Sequence, residues 1–493
     1  MAIALKYTKT LQNRAPSIKM KSKNWDKENT EFMGWFILVI FFVYGAPLIF
    51  SQLFFLAILY LSYISKKDYF WIALFFLLID APGNLFIGRD GTNDHRLAYY
   101  NLIPGITFAY TDFYLLVMTL KTLKLKSPFY FKNDIKIIII YGIIVFVYSM
   151  LLGMTNTNIT NSIRILINWT LPFIIPRLLL SENDFNNLNK LLFPIVIVAI
   201  ISQFYSYTVG SYFADTLNGG IGVRNLAITD DRDNISRAAN SSFILLFCFV
   251  NAIFYFFSKK QIFNKTYLLL IIFFAFFSVF LSATRGWILG YTLIILLTIF
   301  FISKSKRLLL PIVSYTCLIL LCIITIYPKT LIQLQNASER LLTIESLASG
   351  DITAEGTLSR LDERGPRVLN KFNESPVFGW GFSENYFDFR DNHVGHHNLL
   401  LNVGVIGYIL LNILFFKWCF NIYIISKKNT IPTISNNSSI YIYMFALFGM
   451  YIIHSSSAQA WGLDISVAHV LFYSLLLQRI SYFALLKQFL KND

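Results

Sequence analysis

Apolar runs alternate with short polar breaks along almost the whole chain. A helix needs about 20 apolar residues to cross a bilayer core of about 30 Å. Segmenting the chain at its polar breaks gives candidate spans at 33–50, 51–65, 69–87, 106–120, 137–153, 163–181, 189–209, 241–258, 266–283, 287–303, 308–327, 397–417, 438–457 and 464–484. The first two are short for independent spans, and one long or re-entrant element there is the alternative. The count is therefore 12 to 14. The fold class this implies is an all-α, polytopic transmembrane helix bundle.

Lys and Arg cluster in the breaks before Phe32, at Lys66–Lys67, from Lys121 to Lys136, at Lys259–Lys260, from Lys304 to Arg307, at Lys427–Lys428 and at Lys487. Cytoplasmic loops carry such an excess, so both termini are expected inside. The expected organisation is a basic tail over 1–31, a membrane bundle over 32–327, a partly helical outer loop over 328–396, three last spans over 397–484, and a tail over 485–493. A smaller outer loop falls at about 210–240. Long outer loops in an otherwise tightly looped membrane protein carry function or are disordered.

Composition agrees with the pattern. Of 493 residues, 56% are hydrophobic and 14% charged, against about 25% charged in soluble domains. The net charge of +15 could suggest nucleic acid. Yet the lysines sit between apolar runs, where topology signals belong, and no basic domain stands apart from the membrane. Cys248, Cys317, Cys322 and Cys419 lie inside apolar runs without metal or redox spacing and read as small buried hydrophobes. No cleavable signal peptide is expected, since the first apolar run is too long for one. No repeat relates the two halves, which weakens an inverted-repeat transporter reading.

Candidate chemistry gathers at the outer ends. Three of the six histidines, His393, His396 and His397, precede Asn398 where a polar segment turns apolar. An Asn or His at a helix start satisfies free N–H groups, which accounts for one such residue but hardly for three histidines. A ring with an ordinary pKa of about 6.5 suits general base work. Two positions of His-x-x-His-His could share a face for a metal, but no carboxylate or thiolate motif accompanies them. "FLSATRGWILGY" places Arg285 on a tight outer turn, either snorkelling to headgroups or gripping an anion. Arg224, Arg232 and Arg237 stand in the first outer loop, and Arg360, Arg364 and Arg367 are spaced along one helical face of the second. Asp80, Asp112 and Arg164 fall in or near spans and are candidates for buried pairing, while Arg177 reads as an inner-end snorkeller. Arginines suit a pyrophosphate; with a histidine they fit group transfer from a membrane-bound phosphate donor to a hydroxyl.

Three pieces in order resemble the O-antigen ligase and polymerase superfamily of bacterial inner-membrane glycosyltransferases. They are "LSATRGWIL", "LSRLDERGPRVLNKFNESPVFGWGF" with its Gly379-x-Gly381 turn, and "HHNLLLNVGVIGYILL" with Gly404 and Gly407. The likeness covers roughly 280–410 and is only topological elsewhere. It implies an undecaprenyl-pyrophosphate-linked donor glycan and an inverting transfer, with no metal and no cofactor, on the periplasmic side. By that likeness His397 matches the histidine that activates the acceptor hydroxyl, and Arg285 an arginine that holds the donor pyrophosphate. A second such arginine is Arg224 or Arg237. Arg360 matches a loop arginine of the substrate site, with His396 and Asn398 beside the base. The His397-to-glycine spacing is four residues shorter than the family's common pattern, which leaves His396 open as the base; the Asn398 neighbour favours His397. The acceptor is a second glycan (a polymerase) or lipid A–core (a ligase), with membrane lipids, a flippase and a chain-length regulator as further partners. Polymerase is the preferred reading. A lipid-linked oligosaccharide flippase is the alternative from another class, and it should tolerate loss of His397.

Overall fold

The computed structural model describes residues 22–44, 46–81, 99–103, 106–125, 129–209, 242–258, 261–282, 284–302, 363–391, 393–427, 437–456 and 459–490. The calls on Arg224, Arg237, Arg360 and the span at 308–327 lie outside these residues. Helices dominate. In chain order they are α1 (Ser22–Tyr44), α2 (Leu48–Ile64), α3 (Asp68–Ala81), α4 (Tyr110–Leu123), α5 (Lys132–Leu151), α6 (Asn156–Thr170), α7 (Glu182–Val209), α8 (Phe243–Phe257), α9 (Lys265–Leu281) and α10 (Arg285–Phe301). Later in the chain come α11 (Gly365–Asn373), α12 (Glu384–Phe389), α13 (Gly395–Lys427), α14 (Tyr441–Ser456) and α15 (Val467–Leu490).

Among the described residues, four helices, α5, most of α7, α13 and most of α15, are long and apolar enough to cross a membrane, and five shorter apolar helices accompany them. Their outward faces explain the composition. On α5, Ile140 and Leu151 are 58% and 82% exposed, while Ile138, Gly142 and Val145 on the other side are buried. On α13, Val405, Ile409, Ile413, Phe416 and Phe420 form an exposed stripe at helical spacing. Such apolar exteriors are at home in lipid, with backbone polar groups satisfied inside each helix. Helices meet closely where small residues allow it. A Cβ on Gly290 of α10 would sit 2.9 Å from the Gly449 carbonyl oxygen of α14, and one on Gly449 would sit 3.0 Å from that of Gly290.

The segmentation needs several corrections. The stretch 33–65 does form two helices, but they part at Ala46–Pro47 and not after residue 50, because proline cannot continue a helix that reaches it. The span at 163–181 breaks after Thr170 into 3-10 turns at Leu171–Phe173 and Ile175–Leu178, each with a proline near its start. An antiparallel hairpin, β1 (Tyr99–Ile103) with β2 (Ile106–Ala109), precedes α4, so the fold is not purely α. The helix over 397–417 does not stop at Lys417. It runs to Lys427, and Lys417 Nζ instead donates to Asp134 Oδ1 of α5 at 2.5 Å.

The buried polar groups find partners as the sequence suggested. Arg164 Nε donates to Asp112 Oδ2 at 2.9 Å, and that oxygen also accepts from the Ala109 N–H at 2.8 Å. Asp80 Oδ2 accepts from Ser242 Oγ and from the Ile244 N–H at 2.7 and 3.0 Å, which caps the start of α8. One buried charge escaped the sequence reading. Arg479 of α15 is 1% exposed, with its guanidinium carbon 4.3 Å from the Phe254 ring centre and 4.7 Å from that of Tyr255. Its Nη1 donates to Asn251 Oδ1 at 2.6 Å. Aromatic faces and an amide thus solvate this cation.

Candidate functional site

The site is built around a break in α13. Gly404 lies inside that helix at φ 66°, ψ −174°, a conformation open to glycine and strained for other residues. The break uncouples the backbone groups on either side of it. The turn Pro376–Gly381 supplies their partners. The Trp380 and Gly381 N–H groups donate to the carbonyls of Leu401 and Asn402, both at 2.8 Å. In return the Val405 and Ile406 N–H groups donate to the carbonyls of Pro376 and Val377 at 2.9 and 3.3 Å. Asn402 Nδ2 adds a bond to the Gly381 carbonyl at 2.5 Å. Gly379 and Gly381 also have positive φ, 69° and 56°. The glycines of "PVFGWGF" and "NVG" are therefore two halves of one joint.

Helix α5 braces the joint. Ser149 Oγ accepts from the Phe382 N–H at 2.7 Å and donates to the Val145 carbonyl. A Cβ on Gly407 would sit 1.8 Å from the Tyr141 hydroxyl. The exposed stripe on α13 begins at Val405, immediately after the break, and Val377 and Phe378 at the tip of the turn are exposed beside it. So the short helix 395–403 stands at the head of the apolar segment 405–427, which spans roughly 34 Å at the α-helical rise.

That short helix carries His396 and His397, and the two have different settings. His396 has both ring nitrogens engaged. Its Nε2 lies 2.9 Å from Ser455 Oγ, whose own proton goes to the Tyr451 carbonyl; its Nδ1 lies 3.0 Å from the Tyr408 hydroxyl. The consistent assignment is Nε2–H donating to Ser455 and Tyr408 donating to Nδ1. His396 also packs edge-on against His454, with ring centres 4.4 Å apart. His454 Nδ1 accepts from the Ala460 N–H at 3.1 Å, which leaves its proton on a buried Nε2. His397 differs: its Nδ1 has no hydrogen-bond partner among the described residues. His393 stands apart, in a cleft with Arg364, Arg367 and Asp391. No group of three or more metal-ligating side chains occurs among the described residues.

Asn398 is the anchor, fully buried. Its Oδ1 accepts from the Asp391 N–H at 3.1 Å, and its Nδ2 donates to Gln459 Oε1 and, at 3.3 Å, to the Tyr386 hydroxyl. Tyr386 in turn donates to Asp464 Oδ2 at 2.9 Å, and Arg390 pairs with the same oxygen. Burial, and then the Asp464 carboxylate, push the Tyr386 hydroxyl well above its ordinary pKa, so it remains a donor. One amide thereby ties the histidine helix to α12 and to the segment before α15.

Arg285 is the first residue of α10, half-buried. Helix α10 packs antiparallel to α14 through Gly290 and Gly449, which brings its Arg285 end toward the end of α14 that bears His454 and Ser455. Arg285, His396 and His397 are thus gathered at one end of the bundle. Sequence reasoning missed Tyr408, His454, Ser455, Gln459 and Asp464. The signal available was "IIHSSSAQAWGLD", a polar break with a histidine between two apolar runs.

Residues 268–411 match the family model described as O-antigen ligase. That region runs from α9 through the joint and the histidines to the middle of α13. The match supports a likeness to the O-antigen ligase and polymerase superfamily over that part of the chain. No curated protein matches it. The matched region and the apolar helices together support a membrane protein of the O-antigen ligase type.

Proposed function

We propose that the protein transfers a glycan from undecaprenyl pyrophosphate to an acceptor hydroxyl at the periplasmic face of the bacterial inner membrane, with a second lipid-linked glycan as acceptor. His397 is the base, and Arg285, with Arg224 or Arg237, holds the donor pyrophosphate. The observation that carries this reading is the contrast between neighbours. His396 is locked by Ser455 and Tyr408, whereas His397 keeps a ring nitrogen with no partner among the described residues. A base needs a lone pair that substrate can reach; since the unpartnered Nδ1 is itself buried, that lone pair would be the one on His397 Nε2.

The acceptor oxygen attacks the anomeric carbon from the face opposite the leaving group, so the configuration inverts. Its proton passes to His397 as the new C–O bond forms. The bond from the anomeric carbon to the pyrophosphate oxygen breaks, and its electron pair leaves on undecaprenyl pyrophosphate. That leaving group is already stabilised by its own phosphates, and the guanidiniums meet the charge that grows on it. The scheme draws on no metal and no cofactor. The lipid carrier explains why the candidate base stands at the head of an apolar helix. Polymerase is preferred over ligase on the long outer segments and the Phe- and Ile-rich composition.

The test uses purified protein in proteoliposomes with a lipid-linked repeat unit as donor. Longer lipid-linked chains are expected from wild type and none from His397→Ala of equal abundance and fold. Chain growth only on added lipid A–core would make the protein a ligase. Movement of the donor across the bilayer, with no chain growth and no effect of His397→Ala, would make it a flippase and end the proposal.

A further inference from the structure

A cleft of about 480 Å³ opens beside the histidine helix, lined by Glu363, Arg364, Arg367, Asp391 and His393. We infer that it is a subsite for the acceptor glycan, which grips sugar hydroxyls through the Arg364 and Arg367 guanidiniums and sets the acceptor against His397. The inference rests on the proposed transfer.

Four observations carry it. First, the cleft is polar and of a size that ordinary small-molecule sites have. Its two arginines and two carboxylates balance in charge, which suits a hydroxyl-rich ligand better than a polyanion. Second, the guanidiniums have donors to spare. Arg364 Nε and Arg367 Nη2 stand 3.7 and 3.6 Å from the same Asp391 Oδ2, close enough to feel its charge but beyond hydrogen-bond range. Five fixed N–H donors on each plane can take pairs of hydroxyls side by side. Third, the cleft is wired to the base. Asp391 Oδ1 accepts from the His393 N–H at 2.9 Å, and the Asp391 N–H donates to Asn398, next to His397. A ligand pulling on Asp391 therefore bears on the histidine helix. Fourth, the placement separates two substrates. Helix α11, which carries Arg367, packs on α13, while Arg285 reaches the same end on α10 by way of α14. A donor held at Arg285 and an acceptor held at Arg367 would approach His397 from different helices.

The probe is the repeat oligosaccharide of the host strain, released from its lipid by mild acid and titrated onto purified full-length protein in detergent. Acceptor KM and kcat are measured alongside in proteoliposomes. The double variant Arg364→Gln/Arg367→Gln is expected to weaken oligosaccharide binding and raise acceptor KM by on the order of a hundredfold, about tenfold for each charge-assisted hydrogen bond lost. The donor KM should hold. Arg367→Lys keeps the charge and loses the planar fork, and should give about a tenfold rise. His397→Ala is expected to abolish transfer yet bind oligosaccharide as wild type does. Both arginines are substantially exposed, so the variants should keep the wild-type melting temperature. Unchanged binding and acceptor KM in both arginine variants would overturn the inference while leaving the transferase standing. A rise in donor KM alone would also overturn it, by placing the donor there. A wild type that binds oligosaccharide but transfers nothing would count against the transferase reading instead.

Discussion

Gly404→Ala is the sharpest test of the joint between α13 and the Pro376–Gly381 turn. If Gly404 were an ordinary helical glycine, alanine would stabilise the protein by about 1 kcal/mol. The structure reverses the sign. At φ 66° an alanine carries roughly 1–2 kcal/mol of backbone strain. Its Cβ would fall 2.3 Å from the Val377 carbonyl oxygen and 2.5 Å from Gly379 N, and both are backbone atoms that cannot swing aside. Relief requires expelling the turn, which gives up the bonds between Trp380, Gly381, Val405 and Ile406 and their carbonyl partners. At about 1 kcal/mol each, the four bonds and the strain together come to about 5–6 kcal/mol. The assay is thermal unfolding in detergent together with glycan transfer in proteoliposomes. The expected result is a large fall in melting temperature and loss of transfer, because His397 stands on the helix that the joint orients. Gly34→Ala, where an added Cβ meets nothing within 4 Å, is the control and should melt at or above wild type. A Gly404→Ala protein as stable and active as wild type would refute the reasoning.

Other substitutions probe other parts. Asn398→Ala removes the amide that ties Asp391, Gln459 and Tyr386 together, and should cost about 2–3 kcal/mol in urea unfolding while lowering kcat through displacement of His397. Arg285→Ala should raise donor KM and lower turnover, and Arg285→Lys should recover only part of it, since a lysine offers charge without the bidentate fork. Arg479→Ala leaves Asn251 and a ring of aromatic faces without their cation, and should destabilise by about 3 kcal/mol, read as melting temperature, with the donor KM of surviving protein unchanged.

The sequence disclosed what local pattern determines. Apolar periodicity marked the helices, and "HHN" before an apolar run marked a helix start. Two kinds of feature stayed hidden. One depends on backbone conformation. Gly404 and Gly407 stood out only as part of a motif, and nothing nearby in sequence announced that Gly404 turns left-handed to receive a turn some 25 residues earlier. Pro47, Pro172 and Pro176 were visible, yet hydropathy averaged over their breaks. The other depends on distant partners. The settings of His396 and His397 differ because Ser455 arrives from α14, and no spacing along "HVGHHN" could distinguish them. Arg479 drew no notice in the sequence, because Asn251 and Phe254, which close around it, come from α8. Arg364 and Arg367 were placed on one helical face by their spacing, but the carboxylate they share, Asp391, lies beyond a further turn and helix.

If His397 is the base of a periplasmic glycan transfer, its loss must shorten the surface glycan. The most direct measurement is surface-glycan length by gel electrophoresis in a deletion strain complemented with wild type or with His397→Ala at matched protein levels. Wild type should restore long chains, while the variant should leave single repeats on lipid A–core. Long chains restored by His397→Ala would contradict it.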